Sequence, residues 1–228
     1  MIRIFEVGGS IRNELMGLKA KDRDFSVLAP SYDAMKSHIL ENGGTIYQER
    51  PQFVSIKARF PELGDTDFTL ARKESFYTDS RHPDSVSPAE TIEDDLKRRD
   101  FTMNAIAREV GTTNLIDPFG GVLDIKDCFI RCVGNPKERF TEDRLRIFRA
   151  IRFAAVLEFD IRSATSQAIH SFREYSDYDS VKAEMIQIEM WKAFNVNTDK
   201  AFQLLVEYPF LLAVMVKKGL KLKPTLEK

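Results

Sequence analysis

At Asn135 and Pro136 the hydrophobic periodicity of the chain changes, and no other feature restricts the fold as much. Before that point, short apolar runs recur between turns: IRIFEV, DFSVL, TIYQ, FVSIKARF, TDFTLA, LIDPFGG and FIRCVG. Alternation and β-branched or aromatic content predict strands there, and with the helical stretches between them they predict a mixed α/β region over residues 1–134. Beyond it, FTEDRLRIFRAIRFAAVLEF, SATSQAIHSFREY, SVKAEMIQIEMWKAFN and TDKAFQLLVEY space their apolar residues at the helical period with few breakers. That half, residues 135–228, is expected to be all-helical. The fold class is α+β, in two domains.

Composition excludes several function classes. The chain has 228 residues, 43% hydrophobic and 30% charged, which suits a soluble protein and excludes a disordered tail. A formal net charge of −1 argues against a wholesale polyanion binder, so contact with nucleic acid requires a local basic face. Cys128 and Cys132 are the only cysteines, beside three histidines, so a structural zinc site is not expected; two small buried thiols in a reducing compartment are. The longest apolar run, FLLAVMV at 210–216, is too short to cross a bilayer, and the N-terminus lacks a signal-peptide core. The expected location is the cytoplasm, with no membrane partner. Within 71–105 the polar, proline-bearing first part predicts a long exposed loop, entering a helix near Thr91 through a Thr91-x-x-Asp94 capping box.

Chemistry first suggests itself in VGGSIRNELMGLKAKDRDFSV, residues 7–27. Gly8 and Gly9 after a strand permit a tight turn whose N–H groups, with the start of the next helix, can grip phosphate oxygens. A plain strand-to-helix turn explains the glycines equally well. If KDRDFSV is a strand, Asp22 and Asp24 share one face, and two like charges side by side call for a cation. Asp67 in DTDFTLAR lies on another predicted strand and points the same way as Asp65. A phosphate cradle and a carboxylate pair within about fifteen residues describe a site for a metal-bound nucleoside triphosphate, and hard oxygen ligands suit Mg2+.

Five motifs in order, GGSIRN with KDRDF, TDFTLARKESFY, LKRRDFTMNAIA, IDPFGG and TEDRLRIFRAIRFA, resemble those of class II tRNA nucleotidyltransferases and bacterial poly(A) polymerases over roughly the first 155 residues. The resemblance implies a polymerase-β-like head followed by a helical neck, with the further helical body and tail of such enzymes not reached. It places Gly8, Gly9, Ser10 and Arg12 at the triphosphate, Asp22 and Asp24 on the metals, and Asp67 as a third acidic group. Arg99, Asp100 and Asn104 go to the nucleotide sugar and phosphates, although Asp95 pairing with Arg98 or Arg99 along a helix would also explain that stretch. Asn13 departs from the family's usual aspartate, and Gly120 and Gly121 form the joint of head and neck.

A helix is predicted to open at Thr141, with Glu142 and Asp143 in its first turn and within reach of Arg146. Simple charge pairing accounts for that arrangement. Arg146, Arg149 and Arg152 also recur every three residues, and 137–152 holds six basic against three acidic residues, which suits a polyanion along the helix. The resemblance makes Asp143 and Arg146 the readers of the incoming base. The expected function is Mg2+-dependent addition of CMP and AMP, from CTP and ATP, to the tRNA 3′ end without a template. Two alternatives stay open: a poly(A) polymerase or partial CC- or A-adding enzyme of the same family, and a noncatalytic RNA-binding module.

Overall fold

The computed structural model describes residues 2–19, 23–75 and 85–220, and the chain divides into two compact units. The first comprises 1–76, 83–127 and 131–134; the second is chiefly 135–228 with the short segment 128–130.

In the first unit, strand β1 (Arg3–Val7) leads through a glycine turn into α1 (Gly9–Leu15). There follow β2 (Arg23–Leu28), α2 (Tyr32–Glu41), β3 (Thr45–Arg50), β4 (Ser55–Phe60), β5 (Gly64–Leu70), β6 (Arg72–Ser75), β7 (Ser85–Pro88), α3 (Ile92–Lys97), β8 (Ala107–Glu109), β9 (Leu115–Ile116) and α4 (Gly121–Lys126). Seven strands form one mixed sheet in the order β3-β4-β5-β2-β1-β8-β9. Only β2 and β5 in it run parallel; the other neighbours are antiparallel.

Alternation along the strands sends two apolar sets to opposite faces. Phe25, Val27, Ile56, Ala58, Phe68 and Leu70 pack with Met35 and Ile39 of α2, and the Phe25 and Phe68 rings stack at 5.1 Å. Phe5, Val7, Leu28 and Ala71 pack on the other side with Ile92 and Leu96 of α3. Local chemistry sets the helix ends: Ser31 accepts from Ala34 N–H, and Thr91 and Asp94 complete the predicted capping box. At α4 the Asp117 carboxylate takes the N–H groups of Gly121 and Val122. Parts of the predicted 71–90 loop are instead paired, because β6 and β7 form an antiparallel ribbon whose backbone satisfies itself despite polar side chains; the residues between them lie outside the described set.

The second unit holds β10 (Phe129–Ile130), α5 (Pro136–Glu142), α6 (Leu145–Leu157), β11 (Asp160–Ile161), α7 (Ser163–His170), α8 (Ala183–Val196), α9 (Thr198–Glu207) and α10 (Pro209–Lys217). Leu145, Ile147, Phe148, Ile151, Ala154 and Ala155 of α6 are buried, and α6 packs on α8 and α9. The half is helical apart from β11, which pairs in parallel with β10. Two expectations need correction. The predicted helix through Thr141 is two helices, and Cys128 is exposed while Cys132 is buried, because Cys128 takes a left-handed turn (φ 58°) that carries it away from the core. Among the described residues, no helix is long and apolar enough to cross a membrane.

Gly121 is required by packing alone. A Cβ on Gly121 would lie 2.1 Å from the Thr102 carbonyl oxygen, so α4 rests on the backbone of the 102–104 turn. Gly111 has a positive φ (86°) but open space around it. In urea denaturation, Gly121→Ala is expected to cost about 3 kcal/mol and Gly111→Ala about 1 kcal/mol; equal losses would contradict this packing.

Candidate active site

The turn from β1 into α1 carries the residues expected to cradle phosphate. Gly8 has φ 74°, a conformation that favours glycine, and a Cβ there would meet Arg99 Nη1 at 3.1 Å. Its ring of partners comes from the 99–106 stretch: Gly8 N–H donates to Ile106 O, and Arg99 Nη1 donates to Asn104 O. From α1, Arg12 Nη1 donates to Asn104 Oδ1 at 2.7 Å, and Asn104 Nδ2 donates to Asp100 Oδ1 at 3.1 Å. Gly8, Arg12, Arg99, Asp100 and Asn104, distant in sequence, are thus one network. Gly9 opens α1, and the buried Ser10 hydroxyl is turned back to Val7 O. Asn13 accepts from Arg12 Nε and Nη2 through its amide oxygen, so the departure from the family's aspartate keeps an acceptor where it is needed.

Arg99 is held from behind. Asp95, fully buried, receives Arg98 at 2.7 Å and Arg99 at 3.0 Å, so the helical pairing weighed from sequence forms with both arginines. Burial pushes the Asp95 carboxyl up, but the two guanidiniums outweigh it and hold it at about 2. Arg99 Nε is buried with no acceptor among the described residues. A donor in that condition is costly and fits an anionic oxygen brought by a ligand.

Level with the cradle, a row of side chains crosses the sheet. Val7 pairs with Asp24, Asp24 with Asp67, and Asp67 with Lys57, so these four on β1, β2, β5 and β4 share one face. Lys57 Nζ bonds Asp67 Oδ2 at 2.7 Å, whereas Asp67 Oδ1 is buried without a hydrogen-bond partner among the described residues. Asp24 is exposed beside it. An orphan carboxylate oxygen next to a second carboxylate fits a hard divalent cation such as Mg2+. Asp22 lies outside the described residues, and among those described no three potential ligands form a metal cluster.

In the helical unit Asp143 and Arg146 are one turn apart, but not on one helix face. Asp143 is extended (φ −149°, ψ 107°) between α5 and α6, and its Oδ1 accepts the Leu145 N–H at 2.9 Å. It caps α6 where it was expected inside the first turn, because an aspartate satisfies orphan amides best from outside the helix. Arg146 reaches Glu142 at 2.7 Å and Arg139 O at 3.2 Å. The expected basic face is largely neutralised. Buried Glu189 on α8 takes Arg152 in an ion pair and Arg149 at 3.8 Å, so these two arginines tie α6 to α8. Sequence reasoning missed Glu189 and Lys57. An acid at the buried register of α8, between Ile186 and Ala193, was the legible signal for the first; Lys57 gave none beyond strand alternation.

Protonation gives a check on the Asp95 network. A carboxyl lowered from 3.8 to about 2 by folding stabilises the native state fully above about pH 4, and that contribution is lost as pH falls toward 2. It amounts to about 2 kcal/mol. Asp95→Asn is expected to flatten the stability profile across that window and to destabilise at neutral pH by about 3 kcal/mol, since two part-buried guanidiniums lose their counter-ion. Denaturation midpoints from pH 2 to 7 measure both.

The chain is 37% identical over 183 residues to the CCA-adding enzyme of Streptococcus mutans serotype c, covering 80% of this chain and 44% of the relative. It thus spans less than half the length of the curated relatives it matches. Its structure resembles the Bacillus stearothermophilus CCA-adding enzyme in complex with CTP (TM-score 0.75, 29% identity, 94% of this chain and 49% of that one). It also resembles a tRNA nucleotidyltransferase complexed with a primer tRNA and an incoming ATP analog (TM-score 0.70, 28% identity, 94% and 59%). Residues 4–131 match the family described as the Poly A polymerase head domain, which contains the cradle and the carboxylate row, and the chain belongs to that family.

Proposed function

We propose that this chain carries a metal-dependent RNA nucleotidyltransferase that adds CMP and AMP, from CTP and ATP, to the 3′ end of tRNA without a nucleic-acid template, in the cytoplasm. The observation that supports it most is the orphan pair: a buried Arg99 donor at the Gly8 turn and a buried Asp67 acceptor in the adjoining row. One asks for an anion, the other for a cation, and a metal-bound triphosphate brings both. Relatives named as CCA-adding enzymes and a neighbour holding CTP point the same way.

In this reading Gly8, Gly9 and Ser10 present backbone amides, and Arg12 and Arg99 present guanidinium donors, to the triphosphate oxygens. Asp100 and Asn104 set Arg12 and the floor of the cradle. Asp22, Asp24 and Asp67 would hold Mg2+, which when bound lowers the pKa of the RNA 3′-hydroxyl and neutralises the departing pyrophosphate. The hydroxyl oxygen forms its bond to the α-phosphorus as the bond to pyrophosphate breaks. No histidine and no covalent nucleophile take part.

Base choice falls to Asp143 and Arg146. Cytosine and adenine both offer an amino donor beside a ring-nitrogen acceptor, whereas uracil and guanine present the reverse order. A carboxylate only accepts and a guanidinium only donates, so the pair suits C and A. Capping by Leu145 N–H and the Glu142 bond orient the two side chains. Arg149 and Arg152 contribute by bracing α6 through Glu189. A second reading, ATP-only addition to varied RNA ends, is favoured by the description of the matching family.

Incubation with tRNA lacking the terminal CCA, tRNA lacking only the final A, and complete tRNA, each with single nucleotides, tests the assignment. Incorporation of CMP then AMP, stopping at CCA, is expected; unlimited AMP addition would select the second reading, and no incorporation at all would leave an RNA-binding module. Asp24→Ala should lower incorporation by about three orders of magnitude or more with an unchanged circular-dichroism spectrum. A variant retaining a tenth of the parent rate would remove Asp24 from the metal site. For base choice, the double variant Asp143→Ala with Arg146→Ala should depress CTP and ATP use and erode discrimination against UTP and GTP, whereas a purely structural cap would leave the relative kcat/KM of the four nucleotides unchanged.

A further inference from the structure

The face of the sheet that carries Asp24 and Asp67 continues past them, across β4 to the edge strand β3, and α2 covers only the opposite side. On β4 this face presents Ser55, Lys57 and Arg59, while Ile56 and Ala58 between them are buried. On β3, Gln48 pairs with Lys57 and Arg50 with Ser55, and both Gln48 and Arg50 are exposed. A register shift between Ile46 and Gln48 makes Tyr47 an extra residue in the strand, and Tyr47 is 52% exposed. The Arg59 guanidinium stands 6.0 Å from its ring, and both Tyr47 and Arg50 act electrostatically on the Lys57 ammonium. Three cations and one open aromatic ring are thus grouped beside the carboxylate row.

Folding alone does not account for the grouping. Charged side chains on an edge strand discourage pairing with other sheets, which covers Arg50 but not Lys57 on the interior strand β4. Like charges on neighbouring strands cost stability, and here Arg50 and Lys57 repel each other. Asp65 and Asp67 balance Arg59 and Lys57, leaving Arg50 in excess, its guanidinium donating to the neutral Gln48 amide oxygen. An exposed ring among cations, on a sheet face that leads to carboxylates, has the makings of a single-stranded nucleic-acid track: cations follow the phosphates, and a ring stacks a base of any identity.

We infer that this face binds the single-stranded 3′ segment of the RNA substrate, with its phosphates along Lys57, Arg50 and Arg59 and one base stacked on Tyr47. Two strand spacings separate Asp24 from Lys57, about 10 Å, so the track engages the nucleotides that precede the reacting 3′-hydroxyl. The direction of the strand rests on the nucleotidyltransferase reading of the Asp24 row; the binding itself does not.

The test is fluorescence anisotropy of the full chain with a labelled single-stranded RNA of about twelve nucleotides, without nucleotide or divalent metal, at several salt concentrations. Tyr47→Ala is expected to weaken binding about tenfold, and Tyr47→Phe, which keeps the ring, to restore it. Arg50→Ala should weaken binding and reduce the slope of log affinity against log salt by about 0.7. Lys36→Ala removes the same charge from the opposite side, where Lys36 pairs with Glu49, and should leave both quantities unchanged. Parent-like binding by Tyr47→Ala and Arg50→Ala, or an equal loss in Lys36→Ala, would overturn the track. Preference for a blunt RNA duplex over the single strand would also overturn it, because paired bases cannot stack on Tyr47. A chain that binds RNA through these residues yet adds no nucleotide would instead count against the catalytic reading alone.

Discussion

The parallel pairing of β2 with β5 is the constraint on which the candidate site depends. Parallel neighbours place residues of equal register on the same face, so Asp24 and Asp67 come level although 43 positions apart, and the antiparallel partner β4 adds Lys57 to the row. Two carboxylates in that position repel. The protein tolerates them because Lys57 neutralises one oxygen of Asp67 and because the edge of the row is open to solvent. The same sheet holds its other face dry with α2 and the stacked Phe25 and Phe68.

Arginine in this chain is used in two ways, and burial separates them. Arg98, Arg99 and Arg152 are tied to carboxylates that are themselves buried, Asp95 and Glu189, and so act as structural cross-links between or within helices. Arg50 and Arg59 lie in the open, where an ion pair contributes little and the charge remains available to a polyanion. Arg99 combines the two uses: two of its nitrogens are engaged by Asp95 and Asn104, and its buried Nε has no hydrogen-bond partner among the described residues. This explains how a chain with nearly balanced charge can still keep guanidinium groups available locally.

The break at Asp143 shows how a single residue changes a helix reading. Apolar periodicity runs through 140–157 without interruption, since Phe140, Leu145, Ile147, Phe148 and Ile151 are all buried. Yet the backbone leaves the helix at Asp143, whose side chain then takes the Leu145 N–H. Hydrophobic period reports which residues face the core; it does not report where the backbone changes direction between two turns that bury the same side.

Much was legible in the amino-acid order because it is governed by local rules. Strand alternation, the Thr91 capping box, the glycine turn at Gly8 and the helical period of the second half depend on residues a few positions apart, and they appear in the structure where spacing put them, apart from the helix break at Asp143. The family motifs added Arg99 and Asn104 to the Gly8 turn, and in the structure hydrogen bonds link Arg12 and Arg99 through Asn104. Pairings between distant segments were not legible. Lys57 beside Asp67, Glu189 beneath Arg149 and Arg152, and the β6–β7 ribbon are decided by strand register and helix packing, since a charge or a backbone amide takes whichever partner the tertiary fold brings within reach. The sequence by itself determined which residues seek the core and which turns are possible; only the tertiary structure decided which charges meet, because electrostatic partners are chosen by distance in space.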